Sequence, residues 1–183
     1  MTTILTDTSQ TALWADLIRQ AESGASLQLG EELESYLVFV LMGHTRDVQL
    51  HRHVLAVDYL LARAESGTRH KQELRDVGDR CLLLAGLYPE QAERRMVSVD
   101  YFLALGSRAY GELSSALRAA VGELYGHLAQ AFARLVRVLM ELRRRTRDVA
   151  PLLLHDVCTA QGGAGADPQF PGAVLLSSSA RPH

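Results

Sequence analysis

Apolar residues recur at helical spacing along most of this chain. Between Ala119 and Arg147 they alternate at intervals of three and four residues without interruption, which is the period of an amphipathic helix. Similar patterns predict further helices over about 8–23, from Glu31 onward, over about 69–87 and from Val99 onward. We therefore expect an all-α, single-domain antiparallel bundle of five or six helices with mostly short loops.

The helical pattern stops near residue 158. Residues 159–183 are rich in Gly, Pro and Ser and show no periodicity, which is typical of a flexible tail. The sequence therefore predicts a bundle domain over 1–158 and a tail over 159–183. Within the bundle, Ser66-Gly67-Thr68 indicates a hairpin turn, with a glycine stop followed by a threonine cap. Gly43 either ends the second helix or lies within one long helix that continues to Ser66.

Composition and charge narrow the function classes. The chain has 183 residues, of which 48% are hydrophobic and only 6% aromatic, so it can bury one sizeable core. A net charge of −2 argues against nucleic acid or an anionic membrane as the partner. Two distant cysteines and an N-terminus without a signal-peptide pattern indicate a cytoplasmic protein. No apolar run approaches the ~20 residues of a membrane span.

The leading functional hypothesis is a non-enzymatic interaction or regulatory protein that forms a homodimer. The last helix carries a narrow apolar stripe of the coiled-coil type. The stripe residues proposed for self-association are Leu124, Leu128, Leu135, Val138 and Leu142. Small residues over 104–111 would also allow another backbone to approach closely. The alternative is that the same stripe serves only the internal core.

A second hypothesis concerns ionisable residues at heptad spacing. His44, His51, Asp58 and Glu65 are each seven residues apart, so in a continuous helix they would share one face. Asp47 would lie close to the same face. Asp58 and Asp76 are each nine residues from Gly67, so a hairpin at Gly67 would place them level on neighbouring helices. Asp76 and Asp79 form an i,i+3 pair on the second of these helices.

These side chains are suitable ligands for a divalent metal such as Mg, Mn, Fe or Zn. The proposed ligands are His51, Asp58, Asp76 and Asp79, with His44, Asp47 and Glu65 in supporting roles. Neighbouring arginines favour a salt-bridged polar seam instead. Glu31-x-x-Glu34 and Asp76-x-x-Asp79 each resemble the paired acids with which all-α nucleotide pyrophosphatases hold Mg²⁺. The two pairs are too far apart in the sequence for that pattern, so no family is assigned. The alternative function is therefore a metal-binding bundle or, if it is an enzyme, a metal-dependent hydrolase of a phosphorylated small molecule; no catalytic residue is identified.

Two further features leave alternatives open. A basic run at the end of the last helix could meet an acidic partner or simply complement the helix dipole. Its members are Arg143, Arg144, Arg145 and Arg147. A third functional hypothesis, a small-molecule sensor with a pocket between helices, leaves no spacing signature in a sequence.

Overall fold

The computed structural model of this chain describes residues 3–44, 55–90 and 97–147, with the backbone alone for 3–9, 44 and 147. Within these ranges all the long elements are helices, as the apolar pattern predicts. The helices of ten or more residues are α1 (Thr3–Ala25), α2 (Glu31–His44), α3 (Leu55–Ala64), α4 (Gly67–Leu87), α5 (Val99–Ala116) and α6 (Ala119–Arg147). The prediction of a helical bundle is confirmed.

The longest helix, α6, is the centre of the bundle. It packs against α1, α2, α4 and α5, whereas α3 packs mainly on α4. The reason lies in its sequence, because a regular apolar stripe along 29 residues lets α6 pack against several helices at different points along its length. The short helix α3 is thus the most peripheral of the six.

A side-chain cap fixes the start of α5. Ser98 is the N-cap of α5, and its hydroxyl accepts a hydrogen bond from the Tyr101 N–H at 3.2 Å, as the sequence predicts. The turn before α4 is also present, but its cap is Ser66 and not Thr68. Gly67 has a φ of +66°, a conformation that strains any residue with a Cβ. The question of one continuous helix over 44–66 falls largely on 45–54, outside the described residues.

The apolar stripe of α6 is used inside the chain. Leu128, Leu135 and Val138 have no exposed surface, Leu142 is almost fully buried, and Leu124 packs against the core at partial exposure. Periodicity identified the correct face, but that face is covered by the other helices of the same chain. The self-association surface proposed on these five residues is therefore not available as predicted, since a dimer through it would require the bundle to open.

Two glycines let α4, α5 and α6 approach closely. A Cβ at Gly106 of α5 would overlap the ring of Phe132 and lie 2.8 Å from the Cβ of Cys81. A Cβ at Gly86 of α4 would overlap Leu139. The small residues of α5 thus do permit a close approach, as their composition suggests, but the neighbours are helices of the same chain.

We expect Gly106→Ala and Gly111→Ala to shift stability in opposite directions. At Gly106 the new methyl group meets the Cβ of Cys81, which cannot rotate away, so the variant should lose about 1–3 kcal/mol of unfolding free energy. At Gly111 a Cβ meets nothing within 4 Å, so the better helix former should add up to about 1 kcal/mol. Urea unfolding of the two variants beside the natural protein measures both changes. Equal effects of the same sign would contradict the packing described here.

Candidate functional site

The described members of the predicted metal site do not come together. Asp58 accepts a hydrogen bond from Arg80 at 3.4 Å, Glu65 lies 3.5 Å from Arg69, and Asp76 lies 3.7 Å from Arg75. No group of three His, Cys, Asp or Glu side chains suited to a metal occurs within the described residues. Asp47, His51 and the side chain of His44 lie outside the described part of the chain. In the part that is described, these acids face arginines, which agrees with the salt-bridged alternative.

Asp79 has a different environment from Asp76. Its Oδ1 accepts hydrogen bonds from the hydroxyls of Tyr36 on α2 and Tyr110 on α5, both at 2.6 Å. Its Oδ2 lies 4.0 Å from the Nε of Arg75. The ring of Tyr125 on α6 stands 5.7 Å from that of Tyr36 and 5.6 Å from that of Tyr110. Side chains of four helices therefore meet around one carboxyl group.

Burial controls the protonation of this cluster. It raises the pKa of Asp79 to about 6, although the two tyrosine hydrogen bonds and Arg75 act in the opposite direction. Burial also raises the pKa of Tyr36 and of Tyr110 above the usual range, so both phenols keep their protons and act as donors. The cluster is a hydrogen-bonded joint between helices, because the two hydroxyls are already engaged with the carboxyl group.

A long open groove lies along α5 in the described part of the structure. It has a volume of about 1170 Å³, and its floor is one face of α5 from Asp100 to Ala116. One wall is α6 near Ala129 and Ala133, and the other is formed by Arg63 of α3 and His70 of α4. The floor extends over roughly 24 Å, at 1.5 Å per helical residue.

A row of small side chains runs along the middle of the groove floor. Ala104, Ser107, Gly111 and Ser115 follow one another at intervals of three or four residues, so they lie on one helix face. The Ser107 hydroxyl donates to the Ala129 carbonyl at 2.9 Å, which fixes the floor against the α6 wall. A groove with so low a floor leaves room for another backbone.

Charged residues line the groove along its length. Asp100 and Arg108 have no ion-pair partner among the residues described here. Glu112, in contrast, accepts a hydrogen bond from the Tyr59 hydroxyl at 2.5 Å and lies 3.5 Å from Arg63. Burial, with Glu112 as the next cause, raises the pKa of Tyr59 to about 12, so Tyr59 stays a donor. The groove therefore offers one charge of each sign for an incoming partner.

The helix beside the groove is apolar on two opposite sides. Leu55, Tyr59 and Ala62 of α3 are buried against the bundle. On the outer side, Val57, Leu60 and Leu61 are 49%, 62% and 60% exposed. We call this outer face the α3 ridge. A helix with apolar residues all round is normally buried, so the α3 ridge is an unusual surface for the chain to expose.

The end of α3 is tied to the start of α4 by a histidine. The Nδ1 atom of His70 lies 2.6 Å from the Ala62 carbonyl oxygen. Because a carbonyl only accepts, this nitrogen carries the proton. The contact fixes the angle between the two helices and thereby the position of the groove wall.

The basic run at the end of α6 is largely paired within the chain. Arg143 forms an ion pair with Glu90, and both Arg144 and Arg145 bind Glu141, with nitrogen–oxygen distances of 2.7 and 2.8 Å. The side chain of Arg147 lies outside the described residues. A free basic surface for an acidic partner is therefore not presented by Arg143, Arg144 and Arg145.

Sequence reasoning missed two features, namely the cluster of tyrosines around Asp79 in the core and the groove along α5 on the surface. It gave no hydrogen-bonding role to Tyr36 or Tyr110 and assigned Asp79 to a metal. A signal was available, since Asp79 stands two residues before a segment of α4, over 81–87, that has no polar side chain except the thiol of Cys81, and an acid near such a segment needs donors. The groove was not predicted, because the small residues of α5 divide between an inner face with Gly106 and an outer face with Gly111.

Comparison of the chain with protein-family models, curated proteins and solved structures finds no match. Among the helices described here, none has both the length and the apolar character that a membrane span requires. The functional argument therefore depends on the geometry of the groove and of its neighbouring helix.

We expect Asp79→Asn to remove one component of the pH dependence of stability. A carboxyl whose pKa is higher in the folded state than its ordinary 3.8 favours folding most when it is protonated. Its contribution therefore falls as pH rises from 3.8 to about 6 and is constant above that. The difference is at most about 3 kcal/mol, reduced by solvent because 17% of the side chain is exposed.

The measurement is urea unfolding of the natural protein and of Asp79→Asn at several pH values. The stability of the variant relative to the natural protein should increase across this interval and then remain level. A difference that does not change with pH would show that Asp79 titrates in the folded chain as it does in the unfolded chain.

We expect Tyr36→Phe to raise the pKa of Asp79 further. The substitution removes one of the two donors to Oδ1, and such hydrogen bonds favour the charged carboxylate. At neutral pH the loss should cost about 1.5–3 kcal/mol of unfolding free energy. Carbon-13 NMR of the Asp79 carboxyl carbon measures its titration. Tyr59→Phe is the matched control, because Tyr59 binds Glu112 instead, and it should leave that titration unchanged.

Proposed function

We propose that this protein acts by association and that the groove along α5 receives an amphipathic helix of a partner. The observation that carries the proposal is the floor of small residues, which runs from Ala104 to Ser115 between two walls. Helices bind in such grooves through side chains at intervals of three and four residues. Apolar side chains of the partner would lie over the small residues of the floor, and its charged side chains would meet Asp100 and Arg108.

The shape of the groove favours a helix over a small molecule. Small-molecule sites usually measure about 300–1,000 Å³ and bury most of their ligand. This groove is larger, at about 1170 Å³, and is open along its length, so a compact ligand would remain largely exposed in it. A helix of about four turns, in contrast, would fit the floor from end to end.

The metal-dependent hydrolase receives no comparable support. Asp58, Asp76 and Asp79 are each directed to arginine or tyrosine partners. A metal would have to displace Arg80 from Asp58 and two phenols from Asp79, and each lost interaction has a cost in free energy. We therefore base the function on the groove.

The proposal predicts that filling the floor at Gly111 abolishes partner binding without unfolding the chain. A Cβ at this position meets no atom within 4 Å, so Gly111→Arg should fold normally and place a long side chain in the path of an incoming helix. Gly111→Ala is the matched control, because it adds only a methyl group to the floor.

The measurement is chemical cross-linking in the cells that make the protein, followed by identification of the linked peptides. We expect a helical segment, from another protein or from a second copy, to be linked to the groove walls. That link should be lost in Gly111→Arg and kept in Gly111→Ala. An identical set of linked peptides for the natural protein and Gly111→Arg would remove the groove from the function.

A further inference from the structure

We infer that the helix received by the groove is α3 of a second copy of this chain, which inserts its ridge of Val57, Leu60 and Leu61. The inference rests on the proposed function and names the partner of the same groove. It also places self-association on a surface different from the α6 stripe, which is buried in the chain's own core.

The first argument is complementary shape on adjacent surfaces. The α3 ridge protrudes with three large apolar side chains, and the groove floor is low because its side chains are small. Arg63 of α3 forms part of the groove wall, so ridge and groove are immediate neighbours. A twofold axis requires a surface that is complementary to itself. A ridge beside a groove meets this requirement, because each copy inserts its ridge into the groove of the other.

The second argument is complementary charge. Asp100 and Arg108 on the groove floor lack ion-pair partners within the described part of the chain. On α3 the accessible charge is Arg63, whose side chain is 57% exposed, because Asp58 is 19% exposed and binds Arg80 of its own chain. When α3 of the second copy lies antiparallel to α5 with its Leu60 near the middle of the floor, its Arg63 extends toward Asp100. Arg63 would then exchange its 3.5 Å contact with Glu112 of its own chain for a contact with Asp100 of the other copy.

The third argument is the length and area of the contact. The ten residues of α3 measure about 15 Å and fit within the roughly 24 Å of the floor. A stable interface buries about 1,600 Å² in total, or about 400 Å² from each of two ridges and two grooves. Twofold repetition doubles the contact area that one short helix supplies. The exposed apolar surface of α3, which is costly in water, would be buried in the pair.

The test uses the full chain and measures molar mass by light scattering and sedimentation across the micromolar range. The natural protein should have twice the protomer mass of 20.1 kDa. Leu60→Glu, which changes the ridge, and Gly111→Arg, which fills the groove, should each weaken the dimer at least tenfold. Val121→Glu is the control for the ridge variant, since Val121 is 53% exposed and lies at the start of α6, away from the ridge. Gly111→Ala is the control for the groove variant. Both controls should remain dimeric.

Mixing the two disrupted variants gives the most specific result. In a mixed dimer, one contact joins the ridge altered by Leu60→Glu to the groove altered by Gly111→Arg, and the two introduced charges attract. The other contact joins an unchanged ridge to an unchanged groove. An equimolar mixture should therefore recover dimers that neither variant forms alone, with circular dichroism showing that both variants are folded.

Several outcomes would overturn the inference. A monomeric natural protein would do so, and it is the result expected if residues 148–183 of the same chain cover α3. Dimers that persist in both variants, or a mixture that stays monomeric, would show that ridge and groove do not meet. If the chain is monomeric but Gly111→Arg still loses a cross-linked partner, the groove function stands and only its occupant is wrong. If no partner is lost either, both proposals fail.

Discussion

The carboxyl group of Asp79 is the point on which the arrangement of four helices depends. An acid placed where α4 enters the core loses hydration, which is costly unless donors replace the water. Tyr36 and Tyr110 supply those donors from α2 and α5, and the ring of Tyr125 brings α6 against both. A displacement of any of these helices by one residue would leave a buried polar group without a partner. Networks of this kind select one arrangement over its alternatives more than they add net stability.

The residue before Asp79 is part of the same arrangement. A Cβ at Gly78 would overlap the ring of Tyr110, so only glycine lets that ring lie flat on α4 and bring its hydroxyl to Asp79. This contact sets how closely α5 packs on α4. The inner face of α5 is then held at Gly78 and again at Gly106, which leaves its outer face of small residues as the groove floor. The core therefore determines the position of the groove floor.

Particular residues show how much of the structure could be predicted from the sequence. The start of α5 and the bounds of α6 follow from local signals, namely the Ser98 cap and the unbroken stripe to Arg147, and these were predicted correctly. Periodicity also identified which face of α6 is apolar, but a period carries no information on whether the same chain or another covers that face. Periodicity also assigned Asp76 and Asp79 to one site, because it carries no information on which residues of other helices they contact. Both lie on one side of α4, yet Asp79 reaches tyrosines that are 43 and 31 residues away in the sequence.

The peripheral position of α3 is the strongest reason to assign it a role outside the fold. This helix is held to the bundle by polar contacts from Asp58 to Arg80, Tyr59 to Glu112 and His70 to the Ala62 carbonyl, together with its buried inner face. None of these contacts involves the α3 ridge, so the contacts of the described residues do not require the ridge to be apolar. Glu112 connects the two surfaces, because it anchors α3 through Tyr59 and also lines the groove. In the dimer that we infer, a helix that entered the groove near Glu112 would meet the contact that positions α3. Occupation of the groove and the position of the ridge would then be linked through one side chain.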